Sequence, residues 1–170
     1  PLDGTNNFSQ GLPVFTVSIG LQYKGEAVLG VVYAPYFDEL YTAVKGGGAY
    51  LNGKSLRVSA KSALAESVLG TGFPYDKDVN PDNNAGNLVS ILPSLRGIRR
   101  MGSAAYDLAC VAAGFLDGYW ELALHPWDIC AGALLVEEAG GIVRSFREDR
   151  GISIIAGNAT IVQKIGEKIK

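Results

Sequence analysis

A change of rhythm near residue 66 constrains this chain more than any other feature. Before it, apolar residues recur at period two; after it, short apolar runs alternate with stretches of helical spacing. Phe15-Thr16-Val17-Ser18-Ile19-Gly20-Leu21 alternates apolar with small or polar residues, which predicts a half-buried strand. Lys24-Gly25-Glu26 supplies a turn, residues 28–33 a returning strand stopped by Pro35, and residues 39–44 a third. Asn52-Gly53 accepts positive φ at both central turn positions, so a tight hairpin is predicted between residues 49–51 and 56–58. The opening third should therefore be an antiparallel meander. Gly46-Gly47-Gly48 is read as a flexible connection, because neither a helical pattern nor a Lys follows at the spacing of a phosphate-cradling loop.

From Ser67 onward the second rhythm predicts a layered α/β unit. Strands are expected at 68–71, 98–101, 119–122, 142–143 and 152–156, and helices at 82–95, 104–113, 128–139 and 159–170. Pro93 should end the first helix early, Ser103 cap the second and Gly140-Gly141 close the third. No repeat, low-complexity tract or linker interrupts the pattern, so residues 1–170 read as one unit, with one part over 1–66 and another over 67–170.

With 170 residues, 48% of them apolar, the chain can bury a substantial core. A formal net charge of -2 without long runs of one sign argues against a basic nucleic-acid face or a polybasic membrane anchor. No apolar stretch approaches the roughly 20 residues needed to span a bilayer. Cys110 and Cys130 lie in apolar, helix-like stretches and read as small buried hydrophobes, which favours a reducing, cytoplasmic compartment.

Two acidic segments carry the chemistry. Pro1-Leu2-Asp3-Gly4-Thr5-Asn6-Asn7-Phe8 sets an acid, a glycine and a hydroxyl side by side. A carboxylate can hold a hard cation, and Gly and Thr at a helix start offer N–H groups to a phosphate, although Asp-Gly-Thr is also ordinary turn chemistry. Pro126-Trp127-Asp128-Ile129-Cys130-Ala131-Gly132 places a second acid at a helix start, with Glu137-Glu138-Ala139-Gly140-Gly141 at its end; alone, Asp128 reads as an N-cap.

Together, and in this order, the two segments resemble the signatures of the inositol monophosphatase family, which belongs to the lithium-sensitive, magnesium-dependent phosphatases. The similarity extends through Gly30-Val31-Val32-Tyr33-Ala34-Pro35, Arg99-Arg100-Met101-Gly102-Ser103-Ala104-Ala105, Val111-Ala112-Ala113-Gly114 and Asp117-Gly118-Tyr119, essentially the whole chain. The resemblance implies an α/β (α+β) layered sandwich, like fructose-1,6-bisphosphatase, with a large antiparallel sheet beside a smaller mixed one. It implies two or three Mg²⁺ ions and a small phosphate ester as substrate, with inositol monophosphate hydrolysed to inositol and phosphate. By the same resemblance Asp3 and Asp128 share one metal and the main-chain carbonyl of Leu2 binds another. Gly4 and Thr5 hold the phosphate through their N–H groups, and the Thr5 hydroxyl orients the attacking water, so Asp3 and Thr5 are the catalytic pair. Gly102, Ser103 and Ala104 contact substrate, and Glu121 accepts hydrogen bonds from its hydroxyls.

Several alternatives stand beside these assignments. Asn7-Phe8, where nucleotide bisphosphate phosphatases carry Lys-Glu-Phe, points toward inositol phosphates; fructose-1,6-bisphosphatase or another sugar phosphatase is the alternative within the superfamily. Glu121 could instead be a surface strand residue with a solvated head. His125, the only histidine, reads as a partly exposed bystander, and Tyr75, Asp76 and Lys77 as a mobile loop without a role. No nucleic-acid or membrane partner is expected, and kinship implies a homodimer and lithium inhibition. The family pattern also has an Asp before the position of Pro1, a Glu further upstream, and two long amino-terminal helices that cover a sheet; these are not in the sequence. The isolated segment is therefore expected to bind Mg²⁺ weakly, to turn over little substrate and to expose an apolar sheet face, whereas the full-length protein is active. A non-catalytic fragment or assembly module is the alternative of another class.

Overall fold

The computed structural model describes residues 2–170; Pro1, the first residue of the opening motif, lies outside them. The amino-terminal part contains β1 (Leu2–Asp3), the short helix α1 (Thr5–Ser9), β2 (Thr16–Tyr23), β3 (Glu26–Ala34), β4 (Glu39–Val44), β5 (Gly48–Leu51) and β6 (Lys54–Ser55). These six strands form one antiparallel sheet in chain order. After it come β7 (Val68–Thr71), α2 (Ala85–Ile91), β8 (Gly97–Arg99), α3 (Ala104–Ala112), β9 (Gly118–Leu124), α4 (Pro126–Glu138), β10 (Ile142–Arg147), β11 (Ile152–Gly157) and α5 (Ala159–Gly166). The second sheet runs β10-β11-β9-β7-β8, with β7 parallel to β8 and β9 and the other pairs antiparallel. A large antiparallel sheet thus stands beside a smaller mixed one, as expected.

Helices α3 and α4 fill the space between the sheets. All nine residues of α3 are buried, and its core joins Val32, Tyr41 and Ala43 of the first sheet to Tyr119, Ile154 and Ala156 of the second. On the far face of the second sheet, Ile91 of α2 and Ile161 and Ile165 of α5 pack with Trp120 and Ile155. The layers therefore alternate sheet, helices, sheet, helices.

Strand β2 lies where the alternation predicts, but its apolar half faces solvent. Thr16 and Ser18 are buried, whereas Val17, Ile19 and Leu21 are 38%, 54% and 56% exposed. The cause is the closeness of α4: a Cβ on Gly20 would meet the Cys130 side chain, and one on Gly30 would sit 2.8 Å from the Ala131 carbonyl oxygen. Only small residues fit inward, so the large ones point out. Cross-strand pairs Val17–Tyr33, Ile19–Val31 and Leu21–Leu29 make this outer face continuous.

Several boundaries differ: β10, for example, runs to Arg147 where only residues 142–143 were expected. Asn52 and Gly53 adopt φ of 48° and 78°, as the hairpin requires, but the returning strand is only Lys54–Ser55. Leu56 and Val58 leave it to pack on the core, where the Val58 N–H donates to the Ala139 carbonyl. Helix α2 starts at Ala85 because Asn84 is left-handed (φ 71°), and Pro93 shortens its end to a 3₁₀ turn. Helix α4 begins at Pro126 with His125 as N-cap, so Asp128 occupies the third helical position instead of the cap. Helix α5 stops at Gly166. The triple glycine is also more than a flexible connection, since the Gly46 and Gly48 N–H groups donate to the two Glu138 carboxylate oxygens at 2.7 and 2.8 Å.

Candidate active site

Pairing of β1 with β2, with Asp3 opposite Thr16, fixes Asp3 at the edge of the first sheet. Gly4, at φ 78°, then turns the chain into α1, so Thr5 opens a helix as predicted. The Asp3 carboxylate reaches across to the start of α3. Its Oδ2 accepts from the Ser103 hydroxyl at 2.6 Å and the Ala105 N–H at 2.9 Å, while Ser103 caps α3 by accepting from the Tyr106 N–H. Asp128 belongs to the first turn of α4, where its Oδ2 accepts from the His125 N–H at 2.8 Å, a bond that closes the helix start. Neither Asp3 nor Asp128 uses Oδ1 in a side-chain hydrogen bond among the described residues.

Both carboxylates open into one cleft. Asp3, Gly4, Thr5, Gly102, Ser103, Ala104, Glu121 and Asp128 all line it, and Leu2 lines an adjoining hollow with Asp3, Thr5 and Asp128. The fold thus brings every residue singled out from the sequence to one place.

The electrostatics are those of crowded acids. Burial pushes the Glu121 carboxyl up to about 7; the Tyr119 hydroxyl and Arg100 pull it down, and Asp128 and Asp3 push it further up. Asp128 is raised by burial and by Asp3, against the His125 N–H bond. Glu121 accepts a hydrogen bond from the Tyr119 hydroxyl and sits over Gly72, where no Cβ would fit, so it is not a solvated surface group. Mutually repelling carboxylates suit a bound cation, which would relieve them. Among the described residues no three His, Cys, Asp or Glu groups converge on one point, so the side chains that a cation could use here are at most two carboxylates at a time.

Other residues of the cleft went unassigned in the sequence. Asp107, Arg100 and Lys77 line the walls. Asn7 donates to the carbonyls of Val14 and Met101, both at 2.7 Å, and so ties the turn after α1 to the Gly102 loop. The loop with Tyr75, Asp76 and Lys77 is not free: Arg150 binds Asp76 at 2.6 Å and Arg147 binds Asp82 at 2.7 Å. Asn84 anchors its end by donating to Thr71 Oγ1 and the Gly72 carbonyl and accepting from Trp120 Nε1. His125 is exposed and stacks on Trp127, consistent with a capping bystander.

The profile of the inositol monophosphatase family matches residues 1–168. The chain belongs to this family. It is 44% identical to an inositol-1-monophosphatase of Mesorhizobium japonicum, over 100% of this chain and 65% of that protein. To the Nus factor SuhB of Escherichia coli it is 45% identical, over 96% of this chain and 62% of that one. Among solved structures, an inositol monophosphatase from Anabaena superposes with a TM-score of 0.94 at 43% identity, covering 99% of this chain and 68% of that one. The chain thus spans about 65% of the length of the first of these relatives.

Proposed function

We propose that this chain carries the metal-binding and phosphate-binding residues of a Mg²⁺-dependent phosphoric monoester hydrolase, and that the protein it belongs to converts inositol monophosphate to inositol and phosphate. One observation carries the proposal: Asp3 and Asp128, far apart in sequence, open into the same cleft beside the Gly4-Thr5 turn. Asp3, Asp128 and the Leu2 carbonyl would hold the metal, which supplies a lowered water pKa and neutralises charge on the phosphoryl oxygens. Ser103 and Ala105 fix Asp3 Oδ2 and leave Oδ1 without a side-chain hydrogen bond among the described residues. Gly4 and Thr5 offer N–H groups to the phosphate at the start of α1, and the Thr5 hydroxyl orients the attacking water. In the same cleft Glu121 receives a sugar hydroxyl, and an analogue that lacks one would leave this buried carboxyl short of a partner. The relatives named inositol-1-monophosphatase support the substrate class, and the free Cys110 and Cys130 support a cytoplasmic setting.

A fructose bisphosphate is the second reading, favoured by two cations, Lys77 and Arg100, on the same cleft. A substrate panel separates the two. Because hard Mg²⁺ takes near-octahedral oxygen coordination, two side-chain ligands should bind it weakly in the isolated chain. Calorimetric Mg²⁺ titration should show that weak binding, abolished by Asp128→Asn. In the longer protein Asp128→Asn should lower Mg²⁺-dependent inositol 1-phosphate turnover by about 100-fold or more, on the scale of a lost metal group. Identical titrations and turnover for wild type and Asp128→Asn would instead identify a scaffold.

A further inference from the structure

Helix α3 carries one charged residue. Ala104, Ala105, Tyr106, Leu108 and the following residues are apolar and buried, and Asp107 is buried among them, only 2% exposed. It lies one turn beyond Ser103 and hence on the same face as the hydroxyl that holds Asp3. It lines the cleft, yet its Oδ1 is buried without a hydrogen-bond partner among the described residues. An unpaired buried oxygen of this kind costs about 1–3 kcal/mol, and native proteins keep few of them. An apolar side chain of the same shape would avoid that cost. The carboxyl is therefore best explained by a partner that arrives when the cleft is filled.

The surroundings limit what that partner can be. Oδ1 rests against Gly70, where a Cβ would stand 3.0 Å from it and 2.9 Å from Leu116 Cδ1, so no protein side chain can enter from β7. Glu121 is seated likewise over Gly72. Two bare positions at one strand end therefore lie beneath two carboxyls of the same cleft. Burial, then Glu121 and Asp3, hold the Asp107 carboxyl well above its ordinary range, with Arg100 acting against them. A neutral carboxyl can donate as well as accept.

We propose that Asp107 is a second polyol-reading group beside Glu121, exchanging a hydrogen bond with a substrate hydroxyl directly or through one ordered water. The identity of the ligand as a polyol phosphate rests on the function proposed above. Asp107 sets specificity; it is not placed among the groups that activate water or hold metal.

The test uses the complete protein with its divalent cation. kcat/KM is measured on inositol 1-phosphate and on 4-nitrophenyl phosphate, which has no sugar hydroxyls, for wild type, Asp107→Leu, Asp107→Ala and Asp107→Asn. In parallel, free myo-inositol is titrated by NMR. Asp107→Leu should lower the ratio of the two kcat/KM values, sugar over aryl ester, by about ten-fold or more and weaken inositol binding to match. Asp107→Asn, which keeps an acceptor and a donor, should restore the ratio to within about three-fold of wild type. Asp107→Ala replaces the leucine variant should the latter not fold. A parallel loss on both esters, or unchanged inositol binding, overturns the proposal. A wild type that hydrolyses neither ester counts against the phosphatase function itself, and the NMR titration alone then decides for or against Asp107.

Discussion

Glu121 shows how one residue links packing to pH. Its carboxyl is buried beside Tyr119, Asp3 and Asp128 and titrates near 7 instead of in the ordinary carboxylate range. The folded protein therefore binds more protons than the unfolded chain between about pH 4.5 and 7, so stability falls as pH rises through that window. Asp107 and Asp128 are raised as well and act in the same direction. For metal-free protein, thermal midpoints should drop by several degrees from pH 5 to 7.5, with Glu121 contributing on the order of 3 kcal/mol. Glu121→Gln should flatten that slope. A pH-independent midpoint in chelator, or an unchanged slope in the variant, would show that Glu121 is ionised throughout. The same residue should discriminate substrates: Glu121→Gln should weaken inositol phosphate turnover more than turnover of an aryl phosphate, and equal losses would remove it from substrate selection.

At the scale of elements, the loop between β7 and α2 owes its place to the β10–β11 turn. Arg147 and Arg150, 19% and 16% exposed at the side chain, hold Asp82 and Asp76. Tyr75, 83% exposed at the loop tip, is thereby kept at the cleft mouth with Lys77. Chymotryptic cleavage at Tyr75 should accelerate several-fold in Arg147→Met/Arg150→Met, because losing the ion pairs and hydrogen bonds to Asp82 and Asp76 frees the loop. Equal cleavage rates in wild type and variant would show that Asn84 alone anchors it. From sequence the loop reads as mobile, since ion pairs between distant segments leave no local periodicity. The hairpins were legible for the opposite reason: period-two alternation and Asn52-Gly53 are local signals. Helix α2 began late because Asn84 took a left-handed backbone to serve Trp120 and Thr71, a tertiary demand that overrides helical spacing. Of the site, Asp3 and Asp128 could be placed through family signatures. Asp107 could not, because a lone acid in an apolar helix looks the same in sequence whether or not it finds a partner.

For the molecule as a whole, the first sheet decides behaviour in solution. Along β2, and at Gly30 of β3, α4 leaves room only for small inward residues, and Val17, Ile19, Leu21 and their neighbours on β3 and β4 form an apolar surface on the outer side. Contiguous apolar surface of this kind drives association. The isolated chain should therefore bind a hydrophobic dye in its folded state and show a scattering mass that grows with concentration. Ile19→Lys with Leu21→Lys should suppress both. These side chains are already more than half exposed, so stability should change by no more than about 1 kcal/mol, the scale of surface substitutions combined with lost strand propensity. A cooperative loss of fold in the double variant would mean that the outer face is packed in solution, and concentration-independent mass in wild type would mean that its exposure carries no cost.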